Sequence, residues 1–372
     1  MTLAEKLLHS FPVPSRIAMP AVGLDISDHS VKFLELVHSH DGYRVGRFAT
    51  KEIPEGIIVG GTITKRDALV TLLSDFRKEH GLTFVRASLP EEPGYIFTTK
   101  VPQVAPDEIR SLLRFKLEEH VPIAPGDAVV DYDVVVESRE MSMPVAGQQT
   151  VAVSVFPEKL AQDYVDLLHA SGLTTVSLEI EAQAIARAVI PASVLGACMV
   201  IDIGRMRSGI TVSAGGAVRF TTTVETGGDT LTTLIKQAFP KATDEEILRI
   251  KNEEGLSHEE HAGVKDAMEK FADMLRAHIE RYYLYWQTHK ENKDGQTVAT
   301  GNEPISSIII SGGYANIAGL PEYLSRELRV KCVRANVWVN AFPIEKYIPP
   351  IAYRESLAYA SAIGLALHKD TA

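Results

Sequence analysis

Two aspartates follow apolar runs in closely similar surroundings. Asp25 lies within the segment VGLDIS at 22–27, and Asp202 lies within the segment VIDIG at 200–204. In both, the apolar run ends in Asp-Ile and a small residue, turns, and becomes a second apolar run. A strand that delivers a carboxylate to a tight turn places it beside free backbone N–H groups. This arrangement suits a magnesium-bound phosphate, because the carboxylate orders water on the metal and the amides bind phosphate oxygens.

A double glycine is the third chemical signal. The segment IIISGGYA at 308–315 places Gly312 and Gly313 directly after another apolar strand. The absence of side chains at such a turn lets a ligand approach the backbone closely. The three signals together predict a nucleotide held between two related halves of the chain.

The elements that must position these residues occur twice. Three strand-like runs within 21–52 are followed by a helix that ends at Gly81 and by a strand over 83–89, and the run of three strands recurs over 198–224. The chain therefore reads as an internal duplication with a different insertion in each half. The predicted division is lobe 1 at 21–85 (with 174–197 and 351–368), an inserted subdomain at 86–173, the core of lobe 2 at 198–225 (with 303–350), and a helical insertion of lobe 2 at 226–302.

Bulk composition narrows the possible partners. The formal charge of the 372 residues is −10, which argues against an extended nucleic-acid interface. Cys198 and Cys332 both lie in apolar runs, a pattern typical of buried thiols in a reducing compartment. No apolar run approaches the ~20 residues that span a bilayer. We therefore expect a cytoplasmic protein with no direct transmembrane insertion, whose residues 1–20 form either a frayed end or a short amphipathic helix.

These motifs, in this order and spacing, resemble the PilM family of type IV pilus assembly proteins, within the superfamily of actin and FtsA. The likeness covers about 21–367. It rests on GLDI at 23–26 with SVK at 30–32, RFKLEEHVPI at 114–123, GGDTLT at 227–232, IISGG at 309–313 with GLP at 319–321, and ASAIGLAL at 360–367. The resemblance implies an α/β, actin-like ATPase fold. Its two duplicated ribonuclease-H-like lobes close on ATP and Mg²⁺ and carry an inserted α+β subdomain.

The resemblance also implies the residues of the nucleotide site. Asp25 and Asp202 correspond to the family's two phosphate-loop aspartates, which act on Mg²⁺ through bound water. Glu181 opens a helix where actin-like ATPases place the residue that positions the attacking water, although a glutamate there also simply favours a helix N-terminus. The remaining implied cofactor contacts are Ser27, Asp28, His29, Ser30, Lys32, Gly204, Arg205, Ser208, Gly227, Gly228, Lys251, Gly312, Gly313 and Ala315.

The first loop departs from the family pattern. Ser27 replaces the usual glycine, and Asp28 stands where a small polar residue is common. At ~4 Å two like charges repel by about 4 kcal/mol at an effective dielectric constant near 20, so Asp28 weighs against efficient hydrolysis. Arg205 and Arg207 either supply the positive charge that Asp28 removes or are surface arginines beside a hairpin. Lys32 either contacts phosphate or faces solvent.

The family resemblance implies a partner. PilM-like proteins bind the short N-terminal cytoplasmic tail of the inner-membrane protein PilN in a groove beside the inserted subdomain, which would hold this protein at the inner membrane. The stripe of Ile109, Leu112, Leu113 and Leu117 fits the core better than such a groove, whereas an edge strand of the subdomain could accept the peptide by strand addition. The groove residues, self-association and ATP hydrolysis stay open.

Two other readings share the fold. A phosphotransferase or true ATPase would need a catalytic base at the cleft, and the branch with a zinc cluster is excluded by the two isolated cysteines. An FtsA-like division protein is expected to end in a basic amphipathic helix after a linker, whereas this sequence ends shortly after a helix over 354–368.

Overall fold

The computed structural model describes residues 21–40, 42–136, 147–258, 260–288 and 303–368. The expectations for residues 1–20, and those for most of the two polar loops near 141–147 and 290–302, lie outside these ranges. Within them the strands are β1 (Val22–Ile26), β2 (Ser30–Ser39), β3 (Gly42–Glu52), β4 (Ile58–Val59), β5 (Thr62–Ile63), β6 (Phe84–Leu89), β7 (Tyr95–Pro102), β8 (Ala128–Val134), β9 (Gln148–Pro157), β10 (Thr174–Ile180), β11 (Cys198–Ile203), β12 (Ser208–Ala214), β13 (Ala217–Val224), β14 (Ser307–Ser311) and β15 (Lys331–Arg334).

The helices pack on the faces of these sheets and link the lobes. In chain order they are α1 (Arg66–His80), α2 (Pro106–His120), α3 (Glu158–Ala170), α4 (Glu181–Val189), α5 (Gly228–Ala238), α6 (Asp244–Arg249), α7 (Ala262–Thr288), α8 (Leu320–Leu328), α9 (Tyr353–Ser356) and α10 (Ala360–Ala366).

Two five-stranded sheets share one topology. The first has the order β10-β6-β1-β2-β3 and the second has the order β13-β12-β11-β14-β15. In each, the first three strands of the lobe are antiparallel neighbours and the two later strands add in parallel. Asp25 therefore lies opposite Lys32, and Asp202 lies opposite Gly209. The duplication predicted from the sequence is present in the strand order itself.

The inserted subdomain is a three-stranded sheet of order β7-β9-β8 covered on one face by α2. Ile109, Leu113 and Leu117 of α2 are buried in its core, as predicted for this aliphatic stripe. Leu112, the fourth residue of the stripe, is 37% exposed. Strand β7 had no counterpart among the predicted elements. Its side chains are mostly half-buried rather than strictly alternating, which hides the strand from pattern analysis.

The predicted span of the subdomain, 86–173, overlaps lobe 1 at both ends. Strand β6 pairs with β1 and β10 in the first sheet. Helix α3 packs on lobe 1, because Leu167 and Leu168 share a buried cluster with Phe76 of α1. A helix between two parallel strands of one sheet must return across that sheet, which places α3 on lobe 1.

Helices α4 and α10 cross closely beneath the cleft between the lobes. A Cβ atom on Gly364 would lie 1.7 Å from the carbonyl oxygen of Ala184, and one on Gly23 would lie 1.9 Å from that of Ala362. Glycine is therefore required where these backbones touch. The closing helix predicted at 354–368 is divided into α9, a 3₁₀ turn at Leu357–Tyr359, and α10.

Most of the remaining helices belong to lobe 2. The long helix predicted at 258–289 is observed as α7, and the helix predicted at 243–251 is α6 followed by a π-helical turn at Ile250–Glu254. Within the described ranges no helix combines the length and the apolar character needed to cross a bilayer.

Candidate functional site

A cavity of about 400 Å³ lies between the two lobes. Its walls come from the two turns that follow β1 and β11, from the segment after β6, from the start of α4, and from the double-glycine turn after β14. All of these segments follow the strands of the two related sheets at one end. The duplicated topology thus brings the three chemical signals of the sequence to one place.

The first turn holds Asp25 with two local partners. Asp25 is 3% exposed; its Oδ1 accepts a hydrogen bond from the Ser88 hydroxyl at 3.1 Å, and its Oδ2 lies 3.4 Å from Lys32 Nζ. The same ammonium donates to Ser30 Oγ at 2.8 Å. The turn is closed by Ser27, whose N–H donates to the carbonyl of Ser30 at 2.9 Å. Lys32 therefore points into the site, where it balances the charge of Asp25.

Asp28 at the tip of this turn is fixed by backbone donors. Its two carboxylate oxygens accept the N–H groups of Gly60 and Gly61 at 2.9 and 3.0 Å. These glycines have φ values of 57° and 72°, a conformation that lets successive amides point at one anion. Arg207 of lobe 2 completes the set, with Nη2 2.5 Å from Asp28 Oδ2. The positive charge expected to offset Asp28 thus comes from Arg207.

The second turn repeats this backbone closure with different side chains. The N–H of Gly204 donates to the carbonyl of Arg207 at 2.9 Å. Arg205 pairs with Asp229 of α5 at 3.0 Å within lobe 2. Asp202 faces the cavity; burial and the nearby charge of Asp25 raise its pKa to about 6. Because the charge of Asp25 acts on Asp202, the two carboxyl groups lie within electrostatic reach of each other across the cleft.

Three further carboxylates line the cavity. Burial, followed by the charges of Asp25 and Asp202, raises the pKa of Glu181 well above its usual value. Burial raises the pKa of Glu91 to about 8, although its carboxylate accepts a hydrogen bond from Thr221 of lobe 2. With Glu92 alongside, these side chains concentrate carboxyl groups in the cleft. Among the described residues, however, no group of three or more His, Cys, Asp or Glu side chains has the spacing of a direct metal site.

The double-glycine turn closes the lobe 2 side. Gly312 has φ 99°, and a Cβ there would lie 2.5 Å from the Ile203 carbonyl, so the turn lies directly against the end of β11. Gly313 and Tyr314 line the cavity. The ring of Tyr314 lies over Gly228, where a Cβ would come within 1.9 Å of it.

Most of the predicted site residues line this cavity, and five lie behind its wall. The lining includes Asp25, Ser27, Asp28, His29, Ser30, Lys32, Glu181, Asp202, Gly204, Arg205, Gly312 and Gly313. Ser208 and Ala315 are fully buried. The hydroxyl of Ser208 donates to the carbonyl of Thr226, and the N–H of Ala315 donates to the carbonyl of Gly312, so both support the turns from behind.

Gly227 and Gly228, two of the implied cofactor contacts, do not line the cavity. The N–H groups of Gly228 and Asp229 donate to the carbonyls of Gly204 and Arg205. A Cβ on Gly227 would lie 2.5–2.6 Å from backbone atoms of 205–207. These glycines therefore let α5 brace the second turn.

Lys251, another of the implied cofactor contacts, also lies behind the wall rather than among the lining residues. It is 6% exposed, and its ammonium donates to Thr232 Oγ1 and the Gly228 carbonyl. Nζ lies 5.5 Å from the Tyr314 ring. Burial lowers the pKa of Lys251 to about 8. It can act on the cavity only through Tyr314.

Sequence reasoning missed several residues of the site. Glu91 and Glu92 come directly after β6, and their position at the end of a parallel strand was the signal that could have identified them. Tyr314 follows the double glycine. Other missed lining residues are Thr50, Glu52, Gly61, Pro90, Ile185, Met206, Gly209, Thr223, Leu357, Ala358, Ala360 and Ser361.

Two sheets of one topology around a shared cleft define the class of actin-like ATPase folds, and the fold predicted from the sequence is confirmed. The particular family follows from the sequence match. The model of the family "Type IV pilus assembly protein PilM" matches residues 23–370, so this chain belongs to the PilM family.

One solved structure supports this fold. The chain resembles a structure described as the PilM-PilN type IV pilus biogenesis complex with a TM-score of 0.71 and 18% identity, over 94% of this chain and 98% of that one. More distant similarities include MreB 5 of Spiroplasma citri bound to AMPPNP (TM-score 0.49, 12% identity, 92% and 93% covered). Another is the ethanolamine utilization protein EutJ from Carboxydothermus hydrogenoformans (TM-score 0.47, 17% identity, 93% and 89% covered).

Proposed function

We propose that this protein is an ATP-binding scaffold of type IV pilus assembly at the cytoplasmic face of the inner membrane. In this role it binds ATP with Mg²⁺ and the N-terminal tail of a PilN-like protein. Membership of the PilM family supports the pilus role. The observation that carries the nucleotide part is the shared cavity, which is lined by one aspartate turn from each lobe together with the double-glycine turn.

The residues present fit a magnesium-bound triphosphate. Ser27, Ser30 and Lys32 offer hydroxyl and ammonium donors, and Gly204 and Gly312 keep Cβ atoms out of places where backbones touch. Asp25 and Asp202 would hold metal-bound water. Since seven carboxyl side chains, that of Glu52 included, line the cleft, a bare polyphosphate would be repelled there. Bound Mg²⁺ would supply the compensating positive charge, so binding of ATP should require the metal.

Lobe closure is the expected consequence of binding. Contacts to both turns exist only when the lobes approach, so a ligand that uses both turns favours the closed state by its differential affinity. The crossing of α4 and α10 beneath the cleft is the place where such a movement would be hinged.

Weak ATPase activity is a second candidate, and the position of Glu181 favours it. Its carboxyl group lies close enough to Asp25 and Asp202 for both charges to raise its pKa. The raised pKa makes the Glu181 carboxylate harder to form and so works against its acting as a proton acceptor. A cation in the cleft would lower that pKa and allow Glu181 to orient water.

We propose that the partner segment adds to the outer edge of β8, a strand that pairs only with β9 within the part of the chain that the structure describes. The N–H of Val135 donates to Thr150 of β9, so the N–H groups of 130, 132 and 134 point to the opposite, open edge. Asp133 Oδ2 lies 3.4 Å from Gln183 Nε2 of lobe 1, whereas Asp131 Oδ1 lies 3.7 Å from Arg110 Nη2 of α2. An extended peptide with a positive N-terminus matches this edge in hydrogen bonding and charge.

A peptide-binding assay tests the proposal. Fluorescence anisotropy with the labelled tail of the cognate PilN-like protein should show binding, with affinity changed by Mg²⁺-ATP. Val134→Pro removes an edge N–H without breaking a bond to β9 and should weaken binding at least about tenfold. The matched control Val134→Ala keeps that N–H and should bind within about twofold of wild type. Absence of peptide binding both with and without Mg²⁺-ATP would refute the scaffold role.

A further inference from the structure

Arg207 joins three parts of the molecule. It belongs to the second turn in lobe 2, yet its guanidinium crosses the cleft to lobe 1. Nη2 lies 2.5 Å from Asp28 Oδ2 at the tip of the first turn, and Nη1 lies 2.5 Å from Glu92 Oε1 in the segment after β6. The Arg207 side chain is 25% exposed, so the two ion pairs are partly shielded from solvent.

The Asp28 carboxylate occupies an anion-binding position whose donors are already in place. Its oxygens already accept the N–H groups of Gly60 and Gly61, so the carboxylate cannot turn away from Arg207 without losing them. Together, the two amides and the guanidinium enclose a planar anion at the outer end of the cavity. The same donors suit one terminal phosphate group.

The neighbouring Arg205 provides an internal comparison. It lies on the same turn and lines the same cavity, but its ion pair is with Asp229 of its own lobe. Its side chain is 50% exposed, twice as much as that of Arg207. Only Arg207 is held across the cleft.

We propose that Arg207 is the residue by which this protein distinguishes nucleoside triphosphate from diphosphate, with Asp28 and Glu92 occupying its guanidinium until a terminal phosphate replaces them. This inference rests on the proposed nucleotide site and adds its selectivity. A guanidinium can bind two oxygens of one doubly charged phosphate in its own plane, instead of the one oxygen each that Arg207 takes from Asp28 and Glu92. A diphosphate is one phosphate shorter, so with it Arg207 stays with Asp28 and Glu92.

Replacement of Asp28 and Glu92 by a terminal phosphate on Arg207 would also affect the inserted subdomain. Glu92 lies three residues before β7, and Glu91 beside it bonds to Thr221 of lobe 2. Release of Glu92 by Arg207 removes one of the contacts through which lobe 2 holds the start of the subdomain. Triphosphate and diphosphate should therefore leave the base of β7 differently restrained.

Competition calorimetry with ATP and ADP, each with Mg²⁺, tests this inference on the full chain. In wild type the ratio of the ADP to the ATP dissociation constant should be about tenfold or more, as expected for one charge-assisted contact. In Arg207→Ala the ratio should fall to about one. Arg207→Lys keeps the charge but cannot serve two oxygens in one plane, and its ratio should be intermediate.

Two comparators separate selectivity from general charge effects. Arg326→Ala removes an exposed arginine that pairs with Glu327 on α8, away from the cavity, and should keep the wild-type ratio. Arg205→Ala should weaken both nucleotides by a similar factor. Circular dichroism melting of each variant shows whether it is folded.

Three outcomes would overturn the inference. An unchanged ratio in folded Arg207→Ala, or in folded Arg207→Lys should the alanine variant not fold, refutes the role of Arg207 alone. A wild-type ratio near one refutes the selectivity itself. If wild type binds neither nucleotide, the proposed nucleotide site falls and this inference falls with it.

Discussion

The two turns that face each other across the cleft close with the same backbone hydrogen bond but carry side chains of opposite charge. Ser27 and Gly204 make the same closing hydrogen bond to the carbonyl three residues later, and Asp25 and Asp202 occupy equivalent places before them. The first turn then presents Asp28, whereas the second presents arginines. The duplicated halves have become complementary rather than equivalent.

The position opposite each aspartate differs in the same way. Lys32 stands opposite Asp25 and pairs with it, but Gly209 stands opposite Asp202. The space over Gly209 is filled from lobe 1, since a Cβ there would lie 2.7 Å from Glu91 Oε2. In lobe 1, Lys32 thus balances the charge of Asp25, whereas the corresponding place in lobe 2 is filled by the carboxyl group of Glu91 from lobe 1. Contacts between the lobes therefore complete the site.

Replacing Gly209 by the residue that lobe 1 has at this place is expected to have the largest effect. In Gly209→Lys the new side chain must displace the Glu91 carboxyl group from its place over Gly209 and disturb its hydrogen bond to Thr221. We expect a loss of about 3 kcal/mol in the free energy of unfolding, as for an overpacked core site, measured by chemical denaturation. The control Gly209→Ala should lose less because only a methyl group must be accommodated. A Gly209→Lys variant as stable as wild type would show that the lobes do not meet here.

Glu91 should make the stability of the ligand-free protein depend on pH. Its pKa is about 8 in the folded protein and about 4.5 unfolded, so its contribution is fully present below pH 4.5. It is lost progressively as the pH rises toward and through 8. Glu91→Gln keeps an acceptor for Thr221 without the ionisation. Relative to wild type the variant should therefore gain on the order of 2 kcal/mol between pH 5 and 8.

Thermal melting in the presence of a chelator measures this difference. A Thr221→Val variant, which loses the hydrogen-bond donor but keeps Glu91, should retain the pH dependence. Parallel pH profiles for wild type and Glu91→Gln would mean that Glu91 is already ionised at neutral pH in the folded protein.

The smallest effect is expected at Arg205. Its ion pair with Asp229 is exposed on both sides, and exposed pairs contribute less than about 1 kcal/mol to stability. Arg205→Ala should therefore melt within a few degrees of wild type. A loss as large as that of Gly209→Lys would show that the brace between α5 and the second turn depends on this side chain rather than on the backbone bonds of Gly228 and Asp229.

The sequence predicted which backbone segments form the site but not the contacts that the two lobes make with each other. Strand periodicity and the repeated Asp-Ile turn predicted both sheets, because local pattern determines which strands end at the cleft. It could not reveal that Glu91 and Glu92 reach lobe 2, since that contact joins residues more than a hundred positions apart. Lys251 was misplaced for the same reason. Burial beneath Tyr314 depends on packing that no local pattern records.

The central claim is that aspartates from both lobes bind one magnesium-bound nucleotide. Isothermal titration of Mg²⁺-ATP into wild type, Asp25→Asn and Asp202→Asn tests it most directly. We predict one ATP per chain for wild type, and at least about tenfold weaker binding with a reduced dependence on Mg²⁺ in each variant. Wild-type affinity in either folded variant, or ATP binding that is indifferent to Mg²⁺, would contradict the claim.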